Sequence, residues 1–211
     1  MKSLFLPTIS RAASTFAVCA MLGGTVFAQA PAAPATGATA TPPAAPAEKP
    51  KPLSSGDEAY VRSAVKGFTY LIQVANVLPA NTATPPPPEI RLKDTTSKDM
   101  TTALAALNKI VEAHGLKIPT ELVGSDKSDL DRVTKAFAKP PIKGFETKPL
   151  QDWVAEILKE SKRLDRESET LGKSGQDADL KTFASNYGPS VRNVFTTADK
   201  LEKALKAPKK K

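Results

Sequence analysis

Apolar residues recur along this chain at intervals of three and four, in blocks separated by stretches that cannot form helix. In the first block Tyr60, Ala64, Gly67, Leu71, Val74 and Leu78 share one face, with Phe68 and Ala75 beside them. This spacing predicts a helix of about six turns, capped by Ser54, Ser55 or Asp57 and stopped by Pro79. Gly67 on the stripe costs about 1 kcal/mol in helix propensity and allows a neighbouring helix to come close. After Asp57 and Glu58 no carboxylate appears until Glu89.

The central block, Ser97 to Gly115, places Met100, Leu104, Leu107, Val111 and His114 on one face, widened by Ala103 and Ile110. Thr96-x-x-Asp99 reads as a capping box and Gly115 as a stop. The helix starts either near Glu89 or at Thr96, because Asp94-Thr95-Thr96-Ser97 are poor helix formers. Residues 115–149 are broken by Pro119, Pro140-Pro141 and Pro149. They predict a short helix at about Ser128 to Phe137 within a long crossover over one end of a bundle.

The third long helix, Leu150 to Leu171, carries Leu150, Val154, Ile157, Ser161, Leu164, Ser168 and Leu171 in strict alternation of four and three. Glu160, Arg163, Arg166, Glu167 and Glu169 form its solvated faces. Asp177-x-Asp179 opens the last helix, with Leu180, Phe183, Ala184 and Tyr187. Gly188-Pro189 kinks or restarts it, and Val191, Val194, Phe195, Ala198, Leu201 and Leu205 complete it. Four stripes, none able to hide alone, predict an all-α four-helix bundle with a short extra helix between helices two and three.

Composition changes the picture mainly at the ends. The chain has 211 residues and a formal charge of +8, and 11 of its 19 prolines gather at 31–52 and 85–88. Residues 1–28 read as a secretory signal, with Lys2 and Arg11 before an apolar run and small residues at Val-Phe-Ala 26–28. A cut after Ala30 is the alternative, and the apolar run is shorter than the roughly 20 residues of a membrane span. The mature chain is therefore expected in the periplasm or cell envelope without a transmembrane span. Cys19, the single cysteine, leaves with the signal, so no disulfide or thiolate metal site is expected. Residues 29–56, rich in Ala and Pro, cannot offset their ordering entropy and read as a disordered tether. Residues 57–205 form the bundle and 206–211 a basic tail. Its Lys206, Lys209, Lys210 and Lys211 offer a weak contact to anionic envelope polymers or lipids. Nucleic acid is not an expected partner of an exported protein.

The chemistry-bearing residues are few. Carboxylate-bridged metal bundles need Glu from two helices and Glu-x-x-His from the other two. This chain has one histidine and no Glu-x-x-His. His114 ends the central helix, where a cation suits the dipole, and a structural role there outweighs ligand binding. Glycine-rich phosphate loops are absent. Glu156, Glu160 and Asp165 sit on a polar helix face and are expected to be solvated. Trp153, beside the third helix's stripe, is expected to pack. No catalytic residue, cofactor or metal is expected, so the chain reads as a non-enzyme. A pocket beside Ser161 and Ser168 would make it a small-ligand carrier, although serines there more readily bond their own helix carbonyls or face solvent.

Several pieces occur in the order found in one bacterial family. They are Pro88-Glu89-Ile90-Arg91, Asp99 with Leu104-x-x-Leu107, Gly115-Leu116-x-Ile118-Pro119-Thr120-Glu121-Leu122, Gly144-Phe145-Glu146, Asp179-Leu180-Lys181-x-Phe183-Ala184 and Pro189-x-Val191-Arg192. From Asp57 to Leu205 the chain thereby resembles the exported proteins grouped as domain of unknown function 4142. The resemblance implies a ferritin-like four-helix bundle, often described as an outer membrane protein, and raises a metal-binding or redox role as the alternative to a non-catalytic envelope or stress-related module. Members of that family usually carry three histidines where this chain has Met100, Ile157 and Val194. The expected consequence is a dry interior in place of the relatives' polar cluster.

Overall fold

The computed structural model describes residues 52–79, 83–139 and 147–207. The expected signal sequence, the part of the expected tether before Pro52, residues 140–146 and Lys209–Lys211 lie outside them. Five helices follow in order: α1 (Ser55–Val77), α2 (Pro88–Ala113), α3 (Ser125–Ala138), α4 (Lys148–Ser174) and α5 (Ala178–Lys206). No strand occurs among the described residues.

Each boundary has a local cause. Ser54 Oγ accepts a 3.1 Å hydrogen bond from the Asp57 amide, so Ser54 is the cap of α1. Leu53 already packs against the core, so the folded part begins a few residues before Asp57. The second helix starts at Pro88, which supplies a preset φ where no amide donor is needed. Thr96 therefore lies inside α2, not at its start. At the other end His114 is the cap and Gly115 adopts φ +67°. The Leu116 amide donates to Val111 O and the Gly115 amide to Glu112 O, which closes the helix as a Schellman motif. Asp177 caps α5, its carboxylate accepting from the Leu180 amide at 2.9 Å. α5 runs unbroken through Gly188-Pro189, and the expected restart does not occur.

The four long helices adjoin one another in a ring, α1 beside α2 and α4, and α5 beside α2 and α4. Side-chain contacts fix their directions. Tyr70 meets Glu156 and Trp153 meets Val74, while Asp57 meets Gln176, so α1 and α4 are antiparallel. Gln151 reaches Leu205 and Arg192 reaches Asp165, which makes α4 and α5 antiparallel as well. His114 at the end of α2 lies against Asp177 at the start of α5. The order is thus up, down, down, up, and the connection carrying α3 returns the chain from the end of α2 to the start of α4.

The predicted stripes supply the core, apart from Phe195, which is half-buried and does not join it. Leu71, Val74, Met100, Leu107, Val154, Ile157, Leu164, Val191 and Val194 are fully buried. Val61, Val65 and Tyr70, off the predicted stripe of α1, are buried too, because α1 touches α2, α3 and α4. α3 lies along the seam between α1 and α4 instead of over one end. Lys66 pairs with Asp126, and Gln73 and Val77 line one hollow with Leu130 and Phe137.

Candidate functional site

One polar cluster gathers where α1 begins, α2 and α4 end, and α5 begins. Asp57 is 3% exposed. Its carboxylate accepts from the Gln176 amide at 3.1 Å and from the Asp177 amide at 3.0 Å. These donors belong to the first residues before α5, where amides lack intrahelical partners. Gly175 makes the approach possible, since a Cβ there would lie 2.6 Å from Leu171 O and 3.3 Å from Asp57 Oδ1. Asp177 in turn faces His114, with Nε2 3.4 Å from Oδ2. His114 thus holds the capping position that its place in the sequence suggests. In the sequence Asp57 reads as one of three candidate caps of the first helix, and that capping role falls to Ser54.

An open groove of about 600 Å³ adjoins this cluster between α1 and α4, bordered by Ser54, Tyr60, Ser63, Arg166, Glu167 and Gln176. Most of its polar groups serve one another. The Tyr60 hydroxyl lies 3.4 Å from Ser168 Oγ. Burial pushes this phenol up to about 12, against the smaller opposing effect of the Ser168 hydrogen bond. Ser63 Oγ donates to Glu167 at 2.9 Å and accepts from Arg163, which also pairs with Glu160 and Glu167 at 2.5 Å each. Burial alone would lower the Arg163 pKa, but Glu160 and Glu167 outweigh it and hold the guanidinium above its ordinary value. Gly67 faces this pair, as a Cβ there would lie 2.5 Å from both Arg163 Nη2 and Glu160 Oε1. Its expected role in close helix approach is met by these side chains.

The three acids expected to be solvated are not. Glu156 is 6% exposed. It accepts from the Tyr70 hydroxyl at 3.0 Å and from Arg132 at 2.5 Å, with Lys159 3.6 Å away. The polar face of α4 on which it sits is covered by α3, which pattern reading along α4 alone does not reveal. Burial and the Glu156 charge push the Tyr70 hydroxyl well above the usual phenol range. Glu160 pairs with Arg163, and Asp165 with Arg192 at 3.1 Å; both carboxylates are largely covered.

The remaining candidates have plain roles. Trp153 is fully buried and donates through Nε1 to Val74 O at 2.8 Å. Ser161 donates to Ile157 O at 2.6 Å. Ser168 is buried against Tyr60 and borders an open groove of about 570 Å³ between α4 and α5. Met100, Ile157 and Val194 are all fully buried. Among the described residues no three His, Cys, Asp or Glu side chains are grouped as metal ligands would be. Nor is any described helix long and apolar enough to cross a membrane.

Of the four tail lysines only Lys206 is described. It is exposed at the last turn of α5, and its Nζ lies 2.9 Å from Glu202 Oε1. It sits beside the start of α4, at the end of the molecule opposite Asp57. Basic and acidic residues nearly balance over the described residues, so most of the +8 charge lies outside them.

No family model, no curated protein and no solved structure matches this chain.

Proposed function

We propose that this chain is a ferritin-like four-helix bundle of the domain of unknown function 4142 type, exported to the cell envelope, where it acts as a non-catalytic interaction or stress-related module. The up-down-down-up order with one long connection supports the ferritin-like assignment, since that is the connectivity of such folds. The observation that carries the non-catalytic reading is the composition of the interior. Met100, Ile157 and Val194 are fully buried apolar side chains. The buried carboxylates, Asp57 and Glu156, are engaged by amides and by Tyr70 and Arg132. Their hydrogen bonds and ion pairs hold helices together.

The ends supply the means of interaction. A signal and tether precede α1, and the basic tail leaves α5 about 40 Å away along the helix axis, from 29 residues at 1.5 Å each. Four lysines near an anionic surface contribute roughly 4 kcal/mol at most, equivalent to millimolar affinity. The Glu202 pairing of Lys206 takes little from this, because exposed pairs are worth at most about 1 kcal/mol. The tail biases the protein towards anionic polymers or lipids without anchoring it.

Cosedimentation of the purified protein with vesicles containing an anionic phospholipid, and with isolated peptidoglycan, tests this reading. Weak, salt-sensitive binding that disappears when residues 206–211 are removed is expected. Absence of binding to either surface would reject the interaction role. Stoichiometric iron, zinc or copper in the purified protein would replace it with the metal-binding or redox alternative.

A further inference from the structure

We propose that α3 is an ionically latched flap, which opens from the α1–α4 seam while the four long helices stay closed. The 14 residues of α3 include one fully covered side chain, Val133, with Leu130 and Phe137 partly covered. Its start has no side-chain cap, and the chain enters it through Gly124 at φ +65°. A helix this short is marginal by itself, so docking must hold it.

That docking is unusually polar. Asp126 pairs with Lys66 of α1 at 2.8 Å, Asp129 with Lys159 of α4 at 3.1 Å, and Arg132 with Glu156 of α4 at 2.5 Å. The cations of these three links are 44%, 67% and 51% exposed, so dissolved salt reaches all of them. Asp129 also bonds Arg132, which ties two links into one unit. Burial would raise the Asp129 pKa, yet Lys159 and Arg132 hold it below the ordinary carboxylate range. The four long helices instead close on fully buried Leu, Val, Ile, Phe and Met side chains. Screening shortens to about 3 Å in 1 M salt, while apolar burial persists. Salt should therefore loosen α3 selectively. Local opening with this separation of stabilities is how proteins expose one element without unfolding.

Opening would bare Glu156 and its partner Tyr70, and Trp153 lies one turn before Glu156 on α4. Trp153 is the chain's single tryptophan, which gives a direct reporter. The test is regional hydrogen exchange on the full protein in low salt and in 1 M sodium chloride, with acrylamide quenching of Trp153 in parallel. Amides of α3 should exchange about tenfold or more faster than those of α1 and α4, and faster again in high salt, with quenching rising alongside. Asp129→Asn, which removes the carboxylate shared by Lys159 and Arg132, should shift low-salt exchange of α3 towards its high-salt rate and blunt the further response. Exchange of α3 at the same rate as α4 would overturn the proposal. So would exchange of α3 that ignores both salt and the substitution, or salt acceleration shared equally by all five helices.

Discussion

The carboxylate of Asp57, in the first turn of α1, receives the backbone amide of Asp177 at 3.0 Å across 120 residues of chain. With the Gln176 amide it closes one end of the molecule. Charge-assisted hydrogen bonds to a covered carboxylate are worth about 1.5–3 kcal/mol each, and their loss leaves donors unpaired. Asp57→Asn keeps the shape but turns an amide group towards amide donors. It should lower unfolding stability by about 2 kcal/mol or more, read as a fall in the urea midpoint at unchanged slope. A change below about 0.5 kcal/mol would mean that solvent serves Gln176 and Asp177 equally well.

Three glycines should respond differently to alanine, because their surroundings differ. Gly172 is an exposed helical position with open space, so Ala should stabilise by about 0.5–1 kcal/mol through helix propensity. At Gly67 a similar propensity gain is opposed by displacement of the flexible ends of Arg163 and Glu160 and by fully buried Leu164, 3.0 Å from a Cβ, and a net change within about 1 kcal/mol is expected. At Gly175 the obstruction is the Leu171 carbonyl, 2.6 Å from a Cβ, and backbone cannot yield cheaply. Gly175→Ala should destabilise by about 2 kcal/mol. Thermal melts of the three variants should order them 172, 67, 175; any other order contradicts the packing described above.

The stripes were readable because a helix repeats every 3.6 residues, so a core face prints itself locally in the sequence. Val154, Ile157 and Leu164 needed no knowledge of their neighbours. Glu156 did, since its burial depends on α3, which meets α4 only in three dimensions. The same limit applied to Asp57, whose amide partners are set by topology. One local sign of covering is in the sequence: from Gly67 to Pro88 the chain holds no charged residue. Such a run marks a helix covered on most sides, as α1 is.

Alkaline pH should weaken the fold through its tyrosines. Tyr60 is raised from 10.0 to about 12 by burial. The folded state therefore holds its proton more tightly than the unfolded state. Its contribution is complete below pH 10 and is lost as pH rises from about 10 to 12, by up to about 3 kcal/mol. Tyr70, raised in the same direction, adds to the loss. Urea midpoints should fall across this window, and Tyr60→Phe should flatten the fall while costing about 1 kcal/mol or less near neutrality, since the Ser168 contact is long. An unchanged alkaline slope in Tyr60→Phe would show that this hydroxyl is not shielded as described.

Thr96 offers the opposite experiment, a substitution expected to improve the protein. Its hydroxyl is fully buried in α2 and has no hydrogen-bond partner among the described residues. A covered hydroxyl gives up its bonds to water on folding and, left unpaired, costs about 1–3 kcal/mol. Valine replaces that oxygen by a methyl group of similar size and keeps the branched shape that the neighbours already accommodate. The helix propensities of the two residues are similar, so the change tests desolvation nearly alone. Thr96→Val should therefore raise the urea midpoint by an amount equivalent to about 1 kcal/mol at constant slope. A loss of stability would place a bound solvent molecule at Thr96 and make this hydroxyl a satisfied group of the core.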